Sequence, residues 1–317
     1  AKEFHPTKEV ISRMVSGDIH RTNYEEVCIR SRKLASALEK DGYKKGDVIA
    51  TLALNTYRHL EMYYGISGMG AICHTLNFRL HPEQAVYIIN HADDKIIFCE
   101  VPFIPILEGL KDQLPCVEKY IILCDEADMP ETGLKNAISY EEYINSGDED
   151  YVWAEMDDDA ACGLCYTSGT TGNPKGVLYS HKSNILHAQA SLNGMPISSD
   201  ETILMVVPLF HVLAWGIPYY GPMNGSKLVM PGMQMEGEPL YDLIDREKVT
   251  LAFGVPTIWM GLLAYCRDNN KILTSVRNTI IGGSALSLPT LQEFDEVHDV
   301  NVIPVSYTHL RAHETIL

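Results

Sequence analysis

No apolar run in these 317 residues is long enough to cross a membrane, and no charged-then-apolar leader of the secretory kind is present. Positive charge is scarce. Lys and Arg number 25 against 42 Asp and Glu, for a formal net charge of −17. So acidic a surface is ill suited to a nucleic-acid backbone or to anionic lipid. A nucleotide site is not excluded, because one loop can carry local positive charge against the global balance. No internal repeat is found, and no G-x-x-x-x-G-K-[ST] phosphate loop of the Walker type. Secreted-protein cysteine patterning is missing too. Most of the eight cysteines sit in apolar runs such as Ile-Ile-Phe-Cys99, which predicts reduced, buried thiols and a cytoplasmic location. Cys162-Gly-Leu-Cys165 has C-x-x-C form, but residues three apart on a strand project from opposite faces, which argues against a shared metal or a redox pair.

What is present is ample hydrophobic content, 46%, arranged as strand-like runs alternating with amphipathic stretches. That alternation predicts an α/β fold. Thr22 is expected to cap a first helix that buries Tyr24, Val27, Cys28, Leu34 and Leu38 and stops at Gly42. Strands are expected at 47–54, 95–100 and 119–124, with helices at 56–68 and 83–91. Residues 131–159 are acidic, with Gly147-Asp-Glu-Asp and Asp157-Asp-Asp159, and read as a surface linker holding one short helix near 139–145. The organisation expected is a first α/β subdomain over 1–130, the linker, and a second α/β subdomain over 160–304. In the second, strands are expected at 160–167, 177–179, 202–207, 227–230, 249–253, 277–281 and 301–303. A helix is expected to start directly after His211, placing Trp215 one turn beyond it on the same side.

The centre of interest is Tyr166-Thr-Ser-Gly-Thr-Thr-Gly-Asn-Pro-Lys-Gly176. Glycines let a backbone turn its N–H groups onto a ligand, the Ser and Thr hydroxyls add donors, and Lys175 adds a mobile cation. A triphosphate requires these properties: many donors, little bulk and neutralising charge. The loop lies between two strands, not at the start of a helix.

This segment resembles the signature loop of the adenylate-forming superfamily, which includes acyl-CoA synthetases, peptide-synthetase adenylation domains and beetle luciferases. Pro208-Leu-Phe-His211-Val212 is similar to its second core motif, and Gly282-Gly-Ser-Ala285 to its acyl-adenylate turn. Leu52-Ala-Leu-Asn55-Thr-Tyr-Arg-His59 and His74-Thr-Leu-Asn77-Phe-Arg-Leu-His-Pro82-Glu-Gln84 resemble the fatty-acyl-CoA synthetase branch. The resemblance covers nearly all of 1–304. It implies stacked αβ subdomains with mixed sheets flanked by helices, and a ligase that converts a carboxylic acid and ATP to acyl-AMP and then to the CoA thioester. It further implies that Ser168, Gly169, Thr170, Thr171, Gly172 and Lys175 hold phosphates, and that Thr167 lies near Mg²⁺. His211 would orient the carboxylate, with Val212 and Trp215 bordering the acyl pocket. Gly282, Gly283 and Ser284 would meet the adenylate. The alternative readings are a satisfied core histidine for His211 and a packing residue for Trp215. A carrier-protein-dependent adenylation module and a non-catalytic nucleotide-binding fragment are the competing functions, and a luciferase-type activity is a remote one. Homodimers occur in the branch.

Both ends depart from the family pattern. The chain begins at Ala1 and is expected to start inside a longer protein. From Val305 the sequence resembles the conceptual translation of a sequencing adapter, so 305–317 is expected to be read-through, and His309 and His313 receive no role. A genuine polar tail is the alternative. The family's next segment, aromatic-Gly-x-Thr-Glu, would follow Pro304, where Tyr307-Thr-His-Leu-Arg stands instead. The 317-residue chain alone is therefore expected to be inactive and to have a poorly covered C-terminal edge.

Overall fold

The computed structural model describes residues 1–167 and 173–305. A hairpin of β1 (Glu9–Arg13) and β2 (Ile19–Asn23) opens it, followed by α1 (Tyr24–Lys40), β3 (Val48–Leu52), α2 (Tyr57–Gly68), β4 (Ile72–Thr75) and α3 (Pro82–Ala92). Next come β5 (Ile96–Cys99), α4 (Ile104–Leu110), β6 (Lys119–Ile122), β7 (Ala137–Ser139) and α5 (Tyr140–Asn145). The loop-bearing pair β8 (Ala161–Thr167) and β9 (Lys175–Ser180) precedes α6 (His181–Gly194), β10 (Thr202–Met205), α7 (Ile217–Asn224) and β11 (Lys227–Met230). The chain continues through α8 (Gly237–Glu247), β12 (Leu251–Gly254), α9 (Pro256–Asp268), β13 (Asn278–Gly282), α10 (Leu288–His298) and β14 (Asn301–Val305).

The helix boundaries have local causes. Asn23, not Thr22, caps α1: its side chain accepts the Glu26 N–H at 2.9 Å, while Thr22 stays in β2 and donates to the Glu26 carboxylate at 2.6 Å. Glu25 and Glu26 lie at the positive end of the helix dipole and Lys40 at the negative end. Tyr24, Val27, Leu34 and Leu38 are buried as the periodicity requires, and Cys28 is half-buried. Ser180 caps α6 and Ser287 caps α10.

The strands form two sheets, ordered β7-β6-β5-β3-β4-β8-β9 and β14-β13-β12-β10-β11-β1-β2. In each sheet all neighbours are parallel except at one edge, β8–β9 in the first and β1–β2 in the second. The parallel strands are buried on both faces, so Ile96–Cys99 and Leu251–Gly254 read as continuous apolar runs without alternation. α2 lies almost wholly buried, and one hydrophobic cluster runs from α1 and α2 through to Ile203, Met205, Ile217 and Leu228. The sheets do not divide where the composition does. β1 and β2 complete the sheet that otherwise forms after residue 200, while β8 and β9 complete the sheet that otherwise forms before 140.

Much of the acidic stretch is also packed. β7 pairs with β6, and α5 lies against α1. A Cβ at Gly147 would sit 1.9 Å from the Lys33 carbonyl oxygen, so backbone meets backbone there. Apart from Glu141, which pairs with Arg30 and Arg58, the acidic side chains of this segment are exposed, while Tyr140 and Tyr143 are buried, which net composition cannot reveal. Among the described residues, no helix is long and apolar enough to cross a membrane.

Candidate functional site

In open α/β sheets, ligands collect outside the carboxyl ends of the strands, where loops are free to carry chemistry. The segments of interest leave such ends: Ala53–Thr56 follows β3, Leu76–Phe78 follows β4, Thr167 ends β8, 206–211 follows β10, and Gly282 ends β13.

Thr167 pairs directly with Lys175 across β8 and β9, and both are exposed. The loop therefore springs from a closed two-strand stem with its cation opposite Thr167. Ser168, Gly169, Thr170, Thr171 and Gly172 lie outside the described residues. At the root of the stem, the Tyr166 hydroxyl stands 2.7 Å from His91 Nδ1. Burial pushes the Tyr166 phenol up to about 12, so it stays protonated. The His74 ring lies 5.2 Å from Tyr166 and is tied at 2.8 Å to Asp94, with both His74 and Asp94 fully buried.

The second motif corrects the expectation of a helix after His211. Val212, Leu213, Ala214 and Trp215 all have left-handed backbone, with φ of 46°, 48°, 50° and 56°, and α7 begins only at Ile217. His211 and Trp215 are therefore not one right-handed turn apart on a shared face. Left-handed geometry costs each L-residue roughly 1–2 kcal/mol, so local preference cannot explain this turn. Contacts to other elements hold it. Leu213 is buried against β8, where a Cβ on Gly163 would lie 3.2 Å from its side chain. Trp215 lies on the end of β13, where a Cβ on Gly282 would come 2.8 Å from the indole. Gly216 continues the turn at φ 79°, with the His187 ring packed against its backbone. The turn thus bridges the end of β13 and strand β8, which leads into the Gly-rich segment.

His211 itself is exposed, not a core residue. Desolvation by the crowding around its ring lowers its pKa below the ordinary histidine value, so it is a neutral hydrogen-bonding group at neutral pH. Gly283 has φ 92°, which lets the chain turn sharply after β13, and Ser284 is exposed just beyond.

Several residues that support this arrangement were not predicted from sequence. Asn55 bonds the backbone of 205–209, the Tyr63 hydroxyl donates to the Leu209 carbonyl, and Phe78 meets Phe210 edge-to-face at 5.0 Å. The first two upstream motifs therefore cradle the third. A partial signal existed, since Asn55 and Phe78 lie inside those motifs, but nothing local shows what they reach.

Glu100 lies beneath the cradle, fully buried, accepting the Leu54 N–H at 3.3 Å. Burial raises its pKa from 4.5 to about 7, only partly offset by that bond and by Arg58. A carboxyl whose folded pKa is raised holds its proton more tightly when folded, so its contribution to stability is lost as pH rises from about 4.5 to about 7. Glu100→Gln keeps the acceptor oxygen and removes the titration. In urea melts it is expected to be about 2–3 kcal/mol more stable than the wild type near pH 8 and equal to it near pH 4. An equal difference at both pH values would show that Glu100 is not the titrating group.

A family model described as AMP-binding enzyme matches residues 1–307. Over 305 residues the chain is 44% identical to the medium-chain-fatty-acid–CoA ligase of Ectopseudomonas oleovorans, covering 96% of this chain and 56% of that protein. It is likewise 44% identical to the 3-methylmercaptopropionyl-CoA ligase of Ruegeria lacuscaerulensis, covering 96% of this chain and 57% of that one. The chain thus spans a little over half the length of these relatives. Among solved structures, the anthranilate CoA ligase AuaEII in complex with anthranoyl-AMP has a TM-score of 0.84 at 22% identity, covering 96% of this chain and 58% of that one. At that identity the likeness concerns the fold.

Proposed function

The chain belongs to the AMP-binding enzyme family, and from that premise we propose that it is the nucleotide- and acyl-binding part of an ATP-dependent ligase joining a fatty or related carboxylic acid to CoA. The observation that carries this reading is the left-handed turn after His211. It sets Trp215 on Gly282 at the end of β13 and Leu213 on Gly163 within β8, drawing together three segments that are far apart in sequence.

In the proposed reaction, a carboxylate oxygen attacks the α-phosphorus of ATP, the bond to the β-phosphate breaks, and pyrophosphate leaves. The CoA sulfur then attacks the acyl carbon and AMP departs. Two anions must approach in the first half, so alignment and charge neutralisation dominate the barrier. Lys175 and the donors of 168–172 are assigned to the phosphates. The neutral His211 ring is assigned to holding the carboxylate by a hydrogen bond, with Val212 and Trp215 forming the acyl wall. Gly282, Gly283 and Ser284 are assigned to the adenylate. Magnesium carried on ATP would neutralise phosphate charge, and the exposed Thr167 hydroxyl is a suitable hard oxygen donor for an ion that keeps most of its ligands from phosphate and water.

The test is pyrophosphate exchange by the full-length protein that carries this chain, across straight-chain, branched and sulfur-containing carboxylates. Exchange that depends on such an acid, followed by thioester formation with CoA, is expected. Exchange with amino acids alone, or with no carboxylate, would overturn the proposal.

A further inference from the structure

We propose that Asn55 is a positioning residue for carboxylate activation, acting through backbone hydrogen bonds on the segment that presents His211. The inference rests on the ligase reading above. β10 leaves its sheet ladder after Met205, and the next residues run on toward His211 without a strand beside them. Their polar backbone groups are buried and need partners. Asn55 supplies three. Its Nδ2 donates to the Met205 and Val207 carbonyls, each at 2.8 Å, and its Oδ1 accepts the Leu209 N–H at 2.9 Å. One carboxamide thus replaces a neighbouring strand at alternate residues 205, 207 and 209. The arrangement admits only one amide orientation, because the flipped form would set oxygen against a carbonyl and nitrogen against an N–H.

Asn55 is itself held. Leu54 N–H donates to Glu100, and the Leu54 carbonyl lies 3.0 Å from His59 Nδ1. His59 Nε2 lies 3.0 Å from the Thr51 hydroxyl, and Tyr57 N–H donates to Ser12 Oγ at 2.8 Å. Burial pulls the His59 pKa down to about 4, so the ring stays neutral and can donate at Nδ1 while accepting at Nε2. The loop that bears Asn55 is therefore rigid, and Asn55 reaches from the first sheet to the second. Tyr63 fixes the Leu209 carbonyl and Phe78 packs against Phe210, so the two residues before His211 are pinned on backbone and ring. Asn55 is only 7% exposed and its hydrogen bonds go to backbone, so its effect on chemistry passes through the placement of His211.

A double-mutant cycle in the full-length protein tests this, read by carboxylate-dependent pyrophosphate exchange. Asn55→Ala is expected to lower kcat about 30-fold, within the roughly 10²-fold that a 1 Å misplacement costs, with KM for ATP changed less than about twofold. In a His211→Ala background the same substitution is expected to lower kcat less than about threefold, because the group it positions is gone. A full 30-fold loss in both backgrounds, or less than a threefold loss in the wild-type background, would overturn the proposal. If Asn55→Ala loses its cooperative melt, Tyr63→Phe replaces it in the cycle, with a loss of about fivefold expected only when His211 is present. Wild-type protein without carboxylate-dependent exchange would instead sink the ligase reading itself.

Discussion

Replacing Lys175 with alanine in the full-length protein is expected to lower carboxylate-dependent pyrophosphate exchange by about 10²–10³-fold, if the proposed phosphate role holds, and to leave the melting temperature unchanged. The two halves of that expectation have separate causes. Lys175 opens β9 opposite Thr167 and is exposed, and exposed side chains outside special backbone geometry change stability by about 0.5 kcal/mol or less. Activity behaves differently because of where charge appears. Breaking the bond between the α- and β-phosphates leaves an extra negative charge on the departing pyrophosphate. A fixed cation beside it stabilises the transition state more than bound ATP, so the loss falls mainly on kcat. The need is sharpened by the chain's net charge of −17, which works against an approaching anion. Lys175→Arg should recover only part of the rate, since a planar, delocalised guanidinium does not place its charge where the compact ammonium was. Activity of Lys175→Ala within threefold of wild type would remove Lys175 from the phosphate site.

How much of this was legible in the sequence depends on the range over which each feature is determined. The pairing of β8 with β9 was, because two strand-like runs flanking a Gly-rich segment are a local signal. β8 ends at Thr167 as expected, and β9 begins at Lys175, two residues earlier than expected. The turn at Gly282 was legible for the same reason. The segment after His211 was not. Val-Leu-Ala-Trp contains no glycine or asparagine to announce left-handed backbone, and its apolar spacing reads as helix. The conformation is imposed by pockets above Gly163 and Gly282, which lie about 50 and 70 residues away in the chain. The strand β7 was missed because three residues inside an acidic segment carry no periodicity, yet β6 offers them a ladder.

The exchange of edge strands was equally unreadable. A composition break predicted two subdomains in series, whereas β1–β2 and β8–β9 each cross to the other side of it. This crossing explains why the cradle works. α2 and the loop before it lie between the two sheets, so Asn55 and Tyr63 can fix the backbone of 205–209 directly. A serial arrangement would leave His211 on one body and the residues that fix its segment, Asn55 and Tyr63, on another.

The largest stability effect is expected at Arg30, where the acidic segment is fastened to that same buried helix. The Arg30 guanidinium donates through Nε to Glu61 at 2.6 Å, and through both terminal nitrogens to Glu141 of α5 at 2.9 and 2.8 Å. Tyr140 donates to the other Glu61 oxygen at 2.9 Å, and Arg58 joins Glu141 at 3.1 Å. The Glu61 side chain is fully buried, and burial raises its pKa from 4.5 to about 6 even with Arg30 in contact. Removing one partner of a buried pair leaves the other charge uncompensated, so Arg30→Met is expected to cost about 3–5 kcal/mol. The pH dependence follows in sign. A raised carboxyl pKa means that stability falls as pH climbs from about 4.5 to about 6, and without Arg30 that pKa rises further. The deficit of Arg30→Met in urea melts should therefore be larger near pH 8 than near pH 4, where the Glu141 share remains because burial of that carboxyl is outweighed by Arg30 and Arg58, which hold its pKa below the ordinary value. Adding Glu61→Gln should restore most of it at pH 8, because a neutral amide keeps the Tyr140 bond and leaves no charge to strand. A deficit independent of pH, or untouched by Glu61→Gln, would mean that Arg30 acts through its packing over the Tyr57 and Tyr140 rings and not through its charge.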